Sequence, residues 1–131
     1  MKHIVLLGGG HAHLVTLANL RRFSELDARV TVVQPWQEHY YSGMGPGLLS
    51  RMYSPEQIRF ATQRIVENQG GSFLQDRAVG IDPQTRTVRL QSGETLAYDV
   101  LSCNVGSTVP CRLVREGARG VYPVKPIVRL L

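Results

Sequence analysis

The stretch "GGGHAH", residues 8–13, concentrates the residue types that could do chemistry. Gly8 and Gly10 hold the first two positions of a G-x-G-x-x-G turn, with Gly9 between them. The first glycine of such a turn permits a tight exit from a strand. The second removes a side chain so that backbone can approach a diphosphate. The N–H groups that open the next helix then face the anion, helped by the helix dipole. His13 stands where a third glycine normally allows close helix–strand packing. The helix is therefore expected to sit differently on the sheet, or His13 to point away from it. His11 and His13 are candidate ligand contacts, although a histidine near a helix start also serves as a solvated or capping side chain. A dinucleotide site is weighed here against a plain strand–helix turn.

Other candidates surround this turn. Gln34 ends the second apolar segment, where a Glu or Asp would ordinarily accept hydrogen bonds from a ribose. Its amide oxygen can accept a hydroxyl without charge, and the missing carboxylate removes the usual argument against a 2′-phosphate. "YYSGMGPG", residues 40–47, mixes aromatics with glycine in a long connection and reads as functional rather than as an idle surface loop. Glu38 and His39 are adjacent, yet neither has a partner visible in sequence, so no acid–base dyad and no catalytic residue are assigned. Cys103 and Cys111 are separated by seven residues, with no metal-type spacing. They read as two reduced thiols, with Cys103 packed in a strand; a redox pair is the alternative.

These residues need elements to position them. Lys2–Leu7 is apolar almost throughout, as in a strand buried on both faces of a parallel sheet. A helix is expected over residues 11–23, burying Leu14, Leu17, Ala18 and Leu20. Ala28–Gln34 is rich in β-branched residues and reads as a second strand, completing a right-handed βαβ unit. Residues 35–53 read as a connection without regular structure. Ser54, Pro55 and Gln57 spell a helix start, followed by a buried face of Ile58, Ala61, Ile65 and Val66, and "NQGG" ends that helix. From Ser72 onward, short strands between compact turns suggest a β-meander, after which residues 100–105 return to the parallel sheet. "IVRLL" resembles the start of a helix.

The bulk numbers bound the class. The 131 residues suffice for a domain with a core, and no apolar run approaches the roughly 20 residues of a membrane-spanning helix. The N-terminal apolar run is too short for a signal peptide, which predicts a cytoplasmic protein. The net charge of +5 comes from scattered arginines rather than a basic block, so no nucleic-acid partner is expected.

Three segments taken together, "HIVLLGGGHAHL", "YYSGMGPGLL" and "YDVLSCNVGS", resemble the FAD-binding N-terminal part of the pyridine nucleotide–disulfide oxidoreductase superfamily. The likeness is strongest to the branch of type II NADH dehydrogenases and sulfide–quinone oxidoreductases, including the branch fused to selenophosphate synthetase. It implies an α/β Rossmann-like three-layer fold with a parallel sheet and a small β-meander. It also implies that residues 1–131 are the N-terminal portion of an FAD-binding domain, with nicotinamide-binding and C-terminal domains absent. Carried over by position, Gly8, Gly9, Gly10 and Gln34 would meet the ADP half of FAD, and Ala78–Val79 would offer backbone to the adenine. Gly106 would meet the pyrophosphate, and Ser42, Gly43, Met44 and Lys125 the isoalloxazine side. The superfamily's Cys-x-x-x-x-Cys pair is absent, so disulfide chemistry is not expected.

The resemblance implies an oxidoreductase that takes hydride from NAD(P)H and passes electrons from FAD to a quinone or other small acceptor. A membrane-surface location at the inner face and a homo-oligomer remain open. The alternatives are a stand-alone nucleotide-binding module without redox turnover, and an interaction domain whose turn binds nothing.

Overall fold

A computed structural model describes residues 1–110, 118–121 and 124–131, apart from the side chains of Arg129 and Leu130. Cys111 lies outside the described residues, so the redox pair has no structural reading. The chain divides into two compact units, Met1–His39 with Ala61–Val105, and Tyr40–Phe60 with Gly106–Leu131.

The first unit holds the βαβ motif. Strand β1 is Lys2–Leu7, followed by a 3-10 turn His11–His13, helix α1 (Leu14–Leu17), helix α2 (Arg21–Glu25) and strand β2 (Ala28–Gln34). Both strands match the sequence expectation residue for residue. The reason is that each is covered on two faces along most of its length, which favours a mainly apolar, β-branched run. The helix expected over 11–23 is broken. Residues 18–20 are turns, with Asn19, Arg22 and Phe23 N–H groups reaching only three residues back. The Asn19 side chain donates to Val15 O, a local bond that competes with the helical ladder. Leu17 and Leu20 are buried as expected, Leu14 is half-buried, and Ala18 is exposed.

Helix α4 (Thr62–Asn68) leads into strand β5 (Ser72–Gln75), and strand β9 (Val100–Cys103) returns later to the same sheet. The order is β5-β2-β1-β9, all parallel, with Leu7 opposite Val33 on one side and Cys103 on the other. "SFLQ" therefore belongs to the parallel sheet and not to the meander. Strands β6 (Ala78–Asp82), β7 (Thr87–Leu90) and β8 (Thr95–Ala97) form the antiparallel meander.

Alternation along β1 builds three layers. Leu6 packs with Leu17, Leu20, Val30, Val32 and Val66 on the helical side. Val5 and Leu7 pack with Val33, Val88 and Leu90 on the meander side. Cys103 is exposed rather than packed, because β9 forms an edge of the sheet.

The second unit replaces the expected irregular connection with regular pieces. A two-residue strand, β3 (His39–Tyr40), pairs with β4 (Arg59–Phe60); between them lie a 3-10 turn Ser42–Met44 and helix α3 (Gly45–Leu49). The helix expected from Ser54 does not form there. Gln57 does reach back to the Ser54 N–H at 2.8 Å, half of a capping box. The Ile58 carbonyl, however, accepts from the Tyr41 N–H at 2.8 Å, so the chain turns into β4 and the helix starts only at Thr62. Ala61, expected on the buried face, is exposed, while Ile58 and Val66 are fully buried. "IVRL" forms a 3-10 turn, Ile127–Leu130.

One buried polar group ties β1 to its neighbours. The His3 ring bonds Ala97 O at 2.7 Å and Thr31 Oγ1 at 2.8 Å. Burial, and then the Arg29 guanidinium, hold its pKa below the ordinary 6.5, against smaller opposing effects of Ala97 and Asp99. The folded state therefore binds this proton less readily than the unfolded chain. The His3 contribution is fully present above pH 6.5 and is lost as pH falls toward the lowered folded value. The thermal midpoint of the wild type is expected to drop between pH 7.5 and 5.5. His39, whose pKa burial also lowers, adds to the drop. The drop is expected to be smaller in His3→Gln, as thermal melts across that range would reveal.

Candidate functional site

The glycine turn continues both ladders of the sheet. The Gly8 N–H donates to Val33 O and the Asn104 N–H to Leu7 O, each at 2.8 Å. Gly8 has φ +82°, and a Cβ there would strike the Asn104 carbonyl oxygen. This is the residue that needs glycine for conformation. Gly9 and Gly10 need it for space. A Cβ on Gly9 would lie 2.6 Å from the Thr62 methyl and 2.7 Å from Gln34 Oε1. A Cβ on Gly10 would lie 2.8 Å from the Asn104 side-chain amide. The bare backbone here meets the protein's own groups, so loss of binding on enlarging Gly10 would not by itself report a ligand.

The amides of the turn find protein acceptors. Gln34 Oε1 accepts from the Gly9 N–H at 2.8 Å. The Asn104 amide, oriented to satisfy both groups, accepts from the Ala12 N–H at 2.6 Å and from the His11 N–H at 3.3 Å. Two adjacent N–H groups thus converge on one oxygen, the arrangement an anionic oxygen uses at a helix start.

Gln34 is 4% exposed, and its Nε2 donates to Trp36 O and Glu38 O. Its described bonds all run to backbone and knit the turn to the end of β2. A carboxylate at this position could still accept from Gly9 but could not donate to the two carbonyls. This explains physically why an amide stands where an acid is usual. Gln34→Glu is expected to destabilise the ligand-free chain by roughly 1–3 kcal/mol through those unsatisfied carbonyls, measurable by urea unfolding.

His13 is 5% exposed and also turned inward. Its Nδ1 donates to Gly8 O at 2.6 Å, and Nε2 lies 2.9 Å from Ser102 Oγ. The imidazole fills the space a third glycine would leave and ties the turn to β9. Of the two arrangements expected from sequence, His13 does not point away from the sheet; its ring reaches across to Ser102 on β9. His13→Gly restores the glycine pattern, yet it is expected to lower stability by roughly 1–3 kcal/mol, because two bonded partners lose the ring. Thermal unfolding without ligand measures this.

His11 is exposed at the helix start. Ala78 and Val79 open β6 at a bulge; Ala78 packs on the meander-side core, and Val79 is about half exposed. The structure brings Gly8, Gly9, Gly10, His13 and Gln34 together in the first unit. In the second unit, Lys125 Nζ donates to Ser42 Oγ at 3.2 Å, Gly43 packs on the Tyr41 ring, and Met44 ends the 3-10 turn. Gly106 is exposed with φ +79° and open space around it. Sequence reading missed Thr62, Ser102 and the side chain of Asn104. Only Asn104 left a signal, a polar residue just past the apolar run of β9.

No family model matches the chain. It is 29% identical over 105 residues to the sulfide-quinone reductase of Aquifex aeolicus, a match covering 80% of this chain and 24% of that protein. The solved sulfide:quinone oxidoreductase from Aquifex aeolicus superposes with a TM-score of 0.74 at 28% identity, over 83% of this chain and 25% of that one. These matches agree with the resemblance to the pyridine nucleotide–disulfide oxidoreductase superfamily read from the sequence. The chain spans about a quarter of the length of these relatives. The superfamily fold recurs in the water-forming NADH oxidase of Lactobacillus brevis, solved with NADH bound. That structure matches at TM-score 0.67 and 22% identity, over 84% of this chain and 26% of that one. No helix among the described residues is long and apolar enough to cross a membrane.

Proposed function

We propose that this chain is the FAD-binding portion of a flavin-dependent oxidoreductase that takes hydride from NAD(P)H and passes electrons to a quinone or another small acceptor. The observation that carries the reading is the strand–glycine turn–helix corner at Gly8–Gly10, in a chain similar in fold and sequence to a sulfide:quinone oxidoreductase. A diphosphate oxygen fits the His11 and Ala12 donors once the Asn104 amide moves aside. The quinone acceptor and a membrane-surface location rest on likeness to a sulfide-quinone reductase that covers a quarter of that protein. Residues 1–131 are accordingly read as the N-terminal portion of an FAD-binding domain.

Bound flavin would supply the hydride chemistry, and the protein would supply binding and electrostatics. The amides of Gly10, His11 and Ala12 would hold the diphosphate, while Gln34 and His13 keep the turn in shape. The β6 backbone at Ala78 and Val79 would border the adenine. Ser42, Gly43, Met44 and Gly106 are the candidates for the remainder of the cofactor, together with Lys125, a cationic donor already bonded to Ser42.

One observation favours a second reading, a turn that binds nothing: Gly9, His11 and Ala12 amides already have side-chain acceptors. Amide NMR separates the two. Adding ADP or FAD in excess should shift the Gly10, His11 and Ala12 resonances saturably, and unmoved resonances would favour the second reading. In the full-length protein loaded with FAD, NADH should bleach the flavin absorption; a loaded full-length protein that NADH leaves oxidised would remove the hydride step.

A further inference from the structure

The chain's net charge sits on one of its two units. Residues 40–60 and 106–131 hold seven Lys and Arg against two Asp and Glu, while the first unit holds eight of each. The net +5 therefore belongs to the second unit, and the first is neutral. A split of this kind points to a partner surface that is itself negatively charged. The end of α3, in the same unit, holds apolar side chains out in water. The Arg51 N–H donates to Leu48 O at 3.1 Å and the Met52 N–H to Gly47 O at 2.8 Å, the paired bonds of a helix-ending cap. The left-handed position of such a cap is usually glycine; here it is Arg51, with φ +60°. The guanidinium is thus carried at a conformational cost. The residue after it, Met52, would often pack on the residue five before it. That residue is Gly47, which has no side chain, and a Cβ there would strike the Tyr53 ring. Met52 stays 72% exposed and Leu49 63%, with Tyr53 partly exposed. No acidic residue occurs from 40 to 55.

We propose that residues 49–53 of the second unit are a docking face for a bilayer surface that carries anionic headgroups. The inference names a face for the membrane-surface location proposed above and rests on that location, not on the flavin chemistry. Leu49 and Met52 enter the boundary between headgroups and acyl chains. The Tyr53 ring suits the same depth, with an apolar body and a polar end. Arg51 stands among them in sequence, and its planar fork meets a phosphate through two parallel bonds. The other cationic residues of the unit attract the surface from further away, screened by salt. A nucleic acid would use the arginines but leave Leu49 and Met52 in water, so the exposed apolar pair favours lipid.

The test compares the 131-residue chain with Arg51→Gly and with the double variant Leu49→Ser, Met52→Ser. Each is sedimented with vesicles of equal parts phosphatidylcholine and phosphatidylglycerol, and with vesicles of phosphatidylcholine alone. Wild type is expected to bind the anionic vesicles more tightly, and less so as salt rises. The double variant should weaken that binding about tenfold or more. Arg51→Gly should weaken it about fivefold while leaving the thermal midpoint unchanged or higher, because glycine suits the left-handed position. A purely structural Arg51 would lower the midpoint and leave vesicle binding alone. Unchanged vesicle binding by both variants overturns this face and leaves the membrane location to another surface. Wild type that binds neither kind of vesicle, or binds a DNA duplex and no vesicle, overturns the face and the location together. The flavin reading is judged separately, by NADH bleaching. If the double variant does not fold, Arg51→Gly decides the matter.

Discussion

Backbone N–H groups that run past the end of a parallel strand must find acceptors, and the first unit is organised around that need. At the exit of β1 the ladder itself satisfies Gly8. Beyond it the sheet offers nothing, and two side-chain amides take over. Gln34 from the end of β2 serves Gly9, and Asn104 from the end of β9 serves His11 and Ala12. Both come from strands flanking β1, so the sheet register decides which side chains arrive. The three glycines follow from this crowding. Gly8 supplies a left-handed backbone, while Gly9 and Gly10 admit Thr62, Gln34 and Asn104 at distances no Cβ would allow.

The same logic accounts for two departures from the superfamily pattern. Where a third glycine would let the helix settle onto the strand, His13 spans the gap from Gly8 O to Ser102 Oγ. Where an acid would present charge to a ribose, Gln34 both accepts and donates within the backbone. In each case a group that braces the turn stands where the pattern has an acid for a ribose or a glycine for close helix packing. The result is a turn held in shape by protein contacts alone.

The second unit shows how tertiary contacts override a well-formed local signal. Ser54 and Gln57 make the bond their spacing predicts, yet the helix is displaced to Thr62 because the Ile58 carbonyl is claimed by the Tyr41 N–H. Tyr41 also packs edge-on against Phe60, at 6.1 Å between ring centres, fixing the short β3–β4 pair. The "YYSGMGPG" connection gains a 3-10 turn and a helix, although its composition alone reads as irregular.

By itself, the sequence determined the strands and the turn. The apolar stretch of residues 4–7 and the β-branched run of residues 30–33 suit strands buried on both faces of a parallel sheet, and glycines directly after a strand favour a turn. The resemblance to the superfamily was legible for the same reason, since the segments that carry it are local in sequence. The tertiary structure alone decided what the turn touches. Whether Gln34 reaches Gly9, whether His13 points out or bridges to Ser102, and whether Asn104 caps a helix were all open. Each bond joins residues far apart in sequence, and only the sheet register and the packing of β9 beside β1 bring them within hydrogen-bonding distance.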